Sequence, residues 1–133
     1  MGDENNDNNG YDETREQILQ LCKLAQGNIS TIHWCKSQIK KRLKVLDRLI
    51  SRLDKFKDEN KPGQINRIEA IIKTQTNACK ELGDKITIEI ESLEAIRVAS
   101  KAFGIDIKTR LLELDDSLDS SDFDDLFLEN DEE

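Results

Sequence analysis

One heptad register governs the first half of this chain. From Ile18 onward, Cys22, Ala25, Ile29, Ile32, Lys36, Ile39, Leu43, Leu46, Ile50, Leu53 and Lys57 follow alternating steps of four and three. Ten of these twelve positions are apolar, and a sustained period of 3.5 residues belongs to helices packed along a neighbour rather than to strands. A second run repeats the pattern at Ile65, Ile68, Ile72, Gln75, Cys79, Leu82, Ile86, Glu89, Leu93, Ile96, Ser100 and Phe103. Between them lies Asp58-Glu59-Asn60-Lys61-Pro62-Gly63, the one dense cluster of turn formers separating periodic segments. If the chain folds back there, facing residues carry numbers summing to about 121 and the two stripes interlock, Ala25 with Ile96, Leu43 with Cys79, Leu53 with Ile68.

The sequence therefore predicts an all-α fold: an antiparallel, coiled-coil-like hairpin of long helices over residues 14–58 and 64–103, turning at 58–63, within a segment 13–104. Thr14-Arg15-Glu16-Gln17 reads as a capping box opening the first helix. Gly27 falls on the outer face and leaves the phase intact, so the helix is expected to run through it at a cost of about 1 kcal/mol relative to Ala. Ile86-Thr87-Ile88-Glu89-Ile90 alternates like a strand but lies inside the heptad run and is read as helix. Asp106 is placed to cap a short third helix within residues 105–114, repeating Ile107, Leu111 and Leu114. Residues 1–12 and 115–133 are expected to be disordered acidic ends.

Two stripes alone do not use all the apolar residues. Leu21, Cys35, Leu49 and Phe56 flank the first seam, and Ile71, Ala78, Ile88, Ile90 and Val98 flank the second. Such surface asks for a third layer. The short third helix supplies part of it, and Trp34 lies on the outer face for that helix or a partner to cover. Phe56 and Ile71 lie beyond its reach. Leu21, Cys35, Leu49, Phe56, Ile71, Ile88 and Ile90 thus form the expected interface with partner helices, in an oligomer or a hetero-complex such as a four-helix bundle. Lys36 and Glu89 fall one layer apart, as a register-fixing ion pair or as a lysine that reaches outward to water.

Several function classes lose support at this level. Paired rods lack the large concave pocket that acid-base or nucleophilic catalysis needs, and the single histidine, His33 beside Trp34, is a surface or boundary residue. Cys22 and Cys35 are thirteen helical residues apart, about 20 Å, so neither a disulfide nor a zinc cluster is expected, and Cys22 and Cys79 read as small core residues. No catalytic residue, metal site or cofactor is expected. The chain has no apolar run long enough for a membrane span and no signal-peptide pattern in its acidic first residues, so a cytoplasmic or nuclear setting is expected. In that setting the sequon Asn28-Ile29-Ser30 is a chance match.

Charge is segregated within the net −8. Three acids lie in residues 1–10 and eleven in 113–133, where no Lys or Arg occurs, so all twenty basic residues sit in the body. Residues 36–57 carry nine of them against Asp47 and Asp54. Lys40, Lys41, Arg42, Lys44, Arg48 and Arg52 are the candidate polyanion contacts, although they point around the helix with no interleaved aromatics. The acidic tail is placed to compete with a polyanion for this stretch.

That tail keeps Leu118, Phe123, Leu126, Phe127 and Leu128, which solubility alone does not require. Phe123-Asp124-Asp125-Leu126-Phe127 resembles the acidic-aromatic activation motif, which folds onto a hydrophobic groove of a partner as a helix. Leu111-Leu112-Glu113-Leu114-Asp115 resembles the clathrin-box pattern and overlaps the expected third helix. In composition the tail is also similar to the acidic tails of single-strand-binding and viral phosphoproteins, which implies a basic groove on the partner. Ser121, beside Asp122 and Asp124, fits an acidophilic kinase. The expectation is a non-enzymatic scaffold or adaptor subunit. Its hairpin docks to helical proteins or to itself, and Phe123, Leu126, Phe127 and Leu128 recruit a groove-containing partner. The alternative is a nucleic-acid-associated regulator using residues 36–57. The outline resembles small coiled-coil subunits of trafficking and kinetochore complexes, with no motif that ties it to one family.

Overall fold

The computed structural model describes the backbone of residues 2–115 together with Leu118, Phe123 and Leu126, and within that set the side chains from Glu13 onward. The described residues form three helices and no strand: α1 (Gly2–Asp58), α2 (Pro62–Lys101) and α3 (Ile107–Leu114).

α1 begins at Gly2, so Thr14-Arg15-Glu16-Gln17 is helix interior and not a start, and the expected irregular stretch 1–12 is helical from Gly2. Residues 2–13 are rich in Gly, Asn and Asp, poor helix formers, but no proline occurs there and the acids complement the positive end of the helix dipole. Gly27 lies within α1 and a Cβ there would meet nothing within 4 Å. The glycine is simply tolerated on an open face. In α2, Thr87 sits in the strand-like stretch and returns its hydroxyl to the Gly83 carbonyl at 3.2 Å, a bond of helical geometry.

Both long helices stop by the same device. Asn60 adopts φ 56°, with Lys61 N donating to Phe56 O at 3.1 Å and Asn60 N to Lys57 O at 3.2 Å. Gly104 adopts φ 72°, with Ile105 N donating to Ser100 O at 3.0 Å and Gly104 N to Lys101 O at 2.9 Å. Each is a Schellman closure, in which a left-handed residue lets two amides reach back to orphan carbonyls. Pro62 then occupies the first position of α2, where its missing N–H costs nothing. Asp106 caps α3, its carboxylate accepting from Lys108 N at 3.2 Å and from the Thr109 hydroxyl at 3.0 Å.

The chain divides into two compact units, Met1–Ser30 with Glu89–Glu133, and Thr31–Ile88. In the first unit the buried residues are Cys22, Ala25 and Ile29 of α1, Leu93, Ile96 and Ser100 of α2, Ile107 and Leu111 of α3, and beyond it Phe123 and Leu126. In the second unit they are only Ile32, Cys35, Leu49 and Ile68.

The second unit corrects the register expected for the first helix. Along α2, Ile65, Ile68, Ile72, Gln75, Cys79, Leu82 and Ile86 are all shielded, which is the expected stripe. Along α1 the shielded stripe is Ile32, Cys35, Ile39, Arg42, Leu46, Leu49, Leu53 and Phe56, with Thr31 and Gln38 half-buried beside it. Half of it is shared with the expected seam, but Cys35, Arg42, Leu49 and Phe56 replace Lys36, Leu43, Ile50 and Lys57. Leu43 and Ile50 are left 50% and 48% exposed. The choice is physical: the expected stripe would carry two lysines inward, whereas the adopted one carries Cys35, Leu49 and Phe56 plus a single arginine that finds an acceptor. Since one residue is about 100° on a helix, moving half the positions by one turns the stripe by roughly 50°.

Candidate interaction surfaces

In the second unit the arginine that enters the shielded stripe defines a polar layer. Arg42 Nη1 donates to Gln75 Oε1 at 2.8 Å, tying α1 to α2, while Arg42 Nε is buried with no partner. Arg42, one of the candidate polyanion contacts, is thus half-buried in the helix pair. Lys40, Lys41, Lys44, Arg48 and Arg52 remain exposed. Leu43 and Ile50 lie one heptad apart and half exposed among these cations, on the stripe that also carries exposed Lys36 and Lys57. Exposed Trp34 lines a shallow groove of about 230 Å³ with Gln38, Arg42, Ala78 and Leu82, flanked by Glu81 and Lys85. His33 is exposed.

These placements redraw the partner-helix interface. Cys35 and Leu49 are 0% and 9% exposed and serve the chain's own packing. Phe56 is half-buried at the turn, where Lys61 Nζ lies 6.0 Å from its ring centroid. Of the expected set, Ile71 and Ile88 stand open in this unit. Leu43 and Ile50 join them, residues that the two-stripe pairing had consigned to the seam. The signal that would have found them is the lysine count: a stripe with Lys at both ends is a poor inner face.

In the first unit a second polar layer sits where Glu89 interrupts the apolar run. Asn28 Nδ2 donates to Glu89 Oε1 at 2.6 Å, and Lys36, offered above as the partner of Glu89, is exposed. Leu21 and Ile90 are half-buried. Arg97 and Glu94 form a bidentate pair one turn apart on α2.

The tail residues expected to be on offer to a partner are partly taken up by this unit. Phe123 and Leu126 are 2% and 1% exposed, with Leu126 N donating to Phe123 O at 3.2 Å. Burial of such side chains contributes about 1.5–3 kcal/mol each. Phe127, Leu128 and Ser121 lie outside the described residues. Within the clathrin-box-like stretch, Leu111 is fully buried and Leu112 half-buried. Leu114, expected on the packed face of α3, is half exposed.

α1 and α3 also enclose a groove of about 500 Å³ in the first unit, with Ile18, Leu19, Cys22 and Leu114 as apolar lining and Thr14, Arg15 and Arg110 as polar lining. Burial pushes the Cys22 thiol above its ordinary pKa, with the Arg110 guanidinium partly opposing. All three thiols are free, Cys22 and Cys35 buried and Cys79 half-buried. Among the described residues no three His, Cys, Asp or Glu side chains converge as metal ligands would, and no helix is long and apolar enough to cross a membrane. Comparison of the chain with protein-family models, with curated protein sequences and with solved structures gives no match.

Proposed function

We propose that this protein is a non-enzymatic scaffold or adaptor subunit, whose long helices pair antiparallel as a coiled-coil-like hairpin and dock to partner helices, and whose acidic-aromatic tail recruits a second protein. The observation that carries the reading is the pair Leu43 and Ile50, half exposed one heptad apart on α1. Two large aliphatic side chains on one stripe, with Ile71 and Ile88 open on α2, form the kind of row that a third or fourth helix covers in a bundle. Recruitment through the tail then requires Phe123 and Leu126 to exchange their burial in the first unit for burial in the partner's groove, so the partner must outcompete an internal site.

The test is native purification of the full chain with its bound proteins, beside Leu43→Glu/Ile50→Glu and Phe127→Ala/Leu128→Ala variants. The reading expects a stoichiometric helical partner, or a second copy by solution mass, that is lost with the first variant. It expects a different protein to be lost with the second. A wild-type chain that sediments as a bare monomer, and carries nothing stoichiometric, refutes it. The nucleic-acid reading retains five exposed cations on α1, Lys40, Lys41, Lys44, Arg48 and Arg52. It expects binding to duplex or single strand that falls steeply with salt, and absence of binding at low salt removes it.

A further inference from the structure

We infer that the groove between α1 and α3 is a docking site for residues 127–133 of this same chain, with Phe127 and Leu128 on its apolar floor and the following acids against Arg15 and Arg110. The groove belongs to the first unit and has a chemistry that neither the adaptor reading nor the basic stretch 36–57 uses. Ile18, Leu19 and Leu114 line it, and Leu19 and Leu114 are left 41% and 50% exposed. The two guanidiniums border it from different helices, Arg15 from α1 and Arg110 from α3, and neither takes part in an ion pair among the described residues. An apolar floor with two cations at its edge that make no ion pair among the described residues selects an occupant that is apolar and acidic at close spacing.

The sequence holds such a segment. Phe127-Leu128-Glu129-Asn130-Asp131-Glu132-Glu133 presents two large apolar residues and then four acids in five positions. It follows directly on Leu126, which is buried in the same unit. Seven residues span up to about 23 Å when extended, against about 12 Å for the eight helical steps from Thr14 to Cys22. Because the segment is tethered by the burial of Phe123 and Leu126 in the same unit, docking is intramolecular, and short flexible tethers that span their sites give effective concentrations of about millimolar. A few apolar contacts and two charge-assisted hydrogen bonds are then enough to hold it. Once docked, it places the whole stretch 123–128 against its own unit. The inference stands apart from the adaptor reading, since the contact exists or not whatever the chain recruits.

The experiment is nuclear magnetic resonance on the full chain at two concentrations, in wild type, Arg15→Glu/Arg110→Glu and Phe127→Ser. Expected in the wild type are backbone order parameters near about 0.85 at residues 127–131 and nuclear Overhauser contacts from the Phe127 ring to methyls of Ile18 or Leu114. In both variants the order parameters should fall below about 0.6, with loss of those contacts, while the spectrum of α2 stays unchanged and reports that the fold survives. Wild-type residues 127–131 that are already mobile and without contacts to the groove overturn the inference. So does order that survives the charge reversal. Contacts seen only between differently labelled chains in a mixed sample also overturn it, because the occupant is then a second copy.

Discussion

The two units are built from the same pair of helices and differ in what lies on top of them. The first adds α3 and the tail residues Phe123 and Leu126, and ten of its described residues are buried. The second has two helices alone, and only Ile32, Cys35, Leu49 and Ile68 reach that state. Composition does not explain the contrast, because from Ile18 onward α1 and α2 supply Ile and Leu to both units. A two-helix layer leaves each apolar side chain with one wet flank. A third layer over the second unit is what the proposed docking to partner helices would supply.

The contrast breaks most sharply at Phe123. Truncation of a buried aromatic costs about 3–5 kcal/mol, so Phe123→Ala should strip hydrogen-exchange protection from the first unit, including residues 90–114. Amides at residues 40–80 should keep theirs. Uniform loss across both units would mean that the two unfold as one and that their difference in burial has no energetic counterpart.

Within the second unit, Leu49→Ala and Leu43→Ala test the turned register directly. Leu49 is shielded and Leu43 half exposed, so the first change should cost about 2–4 kcal/mol and the second under about 1 kcal/mol by chemical denaturation. Equal costs would restore the stripe with Lys36, Leu43, Ile50 and Lys57 on its inner face.

That stripe shows where sequence reasoning reached its limit. Periodicity pointed to two long helical runs, with ten apolar positions in one phase in the first and nine in the second, but it missed the start of α1 at Gly2. It located α3 through Asp106 and the spacing of Ile107 and Leu111. A heptad count alone did not choose between two stripes of α1 that differ by one residue at alternate positions. The lysines at both ends of one stripe were the signal within the sequence, whereas the pairing of Arg42 with Gln75 across the helices was not legible there. The groove at Arg15 and Arg110 was hidden for the same reason, since its walls are some ninety residues apart in sequence. The tail was legible as apolar residues within an acidic run, but burial of Phe123 and Leu126 in their own chain depends on the wide apolar face that unit offers.

The polar layers of the two units sharpen the comparison at a lower energy. Gln75→Leu removes the acceptor of Arg42 and leaves a guanidinium partly buried with Nε already unpartnered, which should cost about 1–3 kcal/mol. The double change Arg42→Met/Gln75→Leu should recover that loss or exceed it, because a well-packed apolar pair often replaces a buried polar one without penalty. Denaturant midpoints of the single and double variants decide. A double variant no more stable than Gln75→Leu alone would show that Arg42 contributes something besides this bond.

The smallest effect belongs to the first unit and to pH. Burial raises the pKa of Cys22 against the opposing field of Arg110. The folded state therefore holds the thiol proton to higher pH than the unfolded chain does. Below the ordinary thiol pKa of about 8.5 both states are protonated and the group contributes no pH dependence. Above it the unfolded chain ionises first, so stability should fall as pH rises from about 8.5 through the raised value of the folded state. Urea midpoints at pH 7, 9 and 10 should show this decline in the wild type and a shallower one in Cys22→Ala, whose remaining slope measures the other alkaline groups. Because Arg110 lowers the thiol pKa, Arg110→Gln should make the decline steeper. A variant slope equal to that of the wild type would mean that the thiol is as well solvated in the folded unit as outside it, which the packing of Cys22 against the groove does not allow.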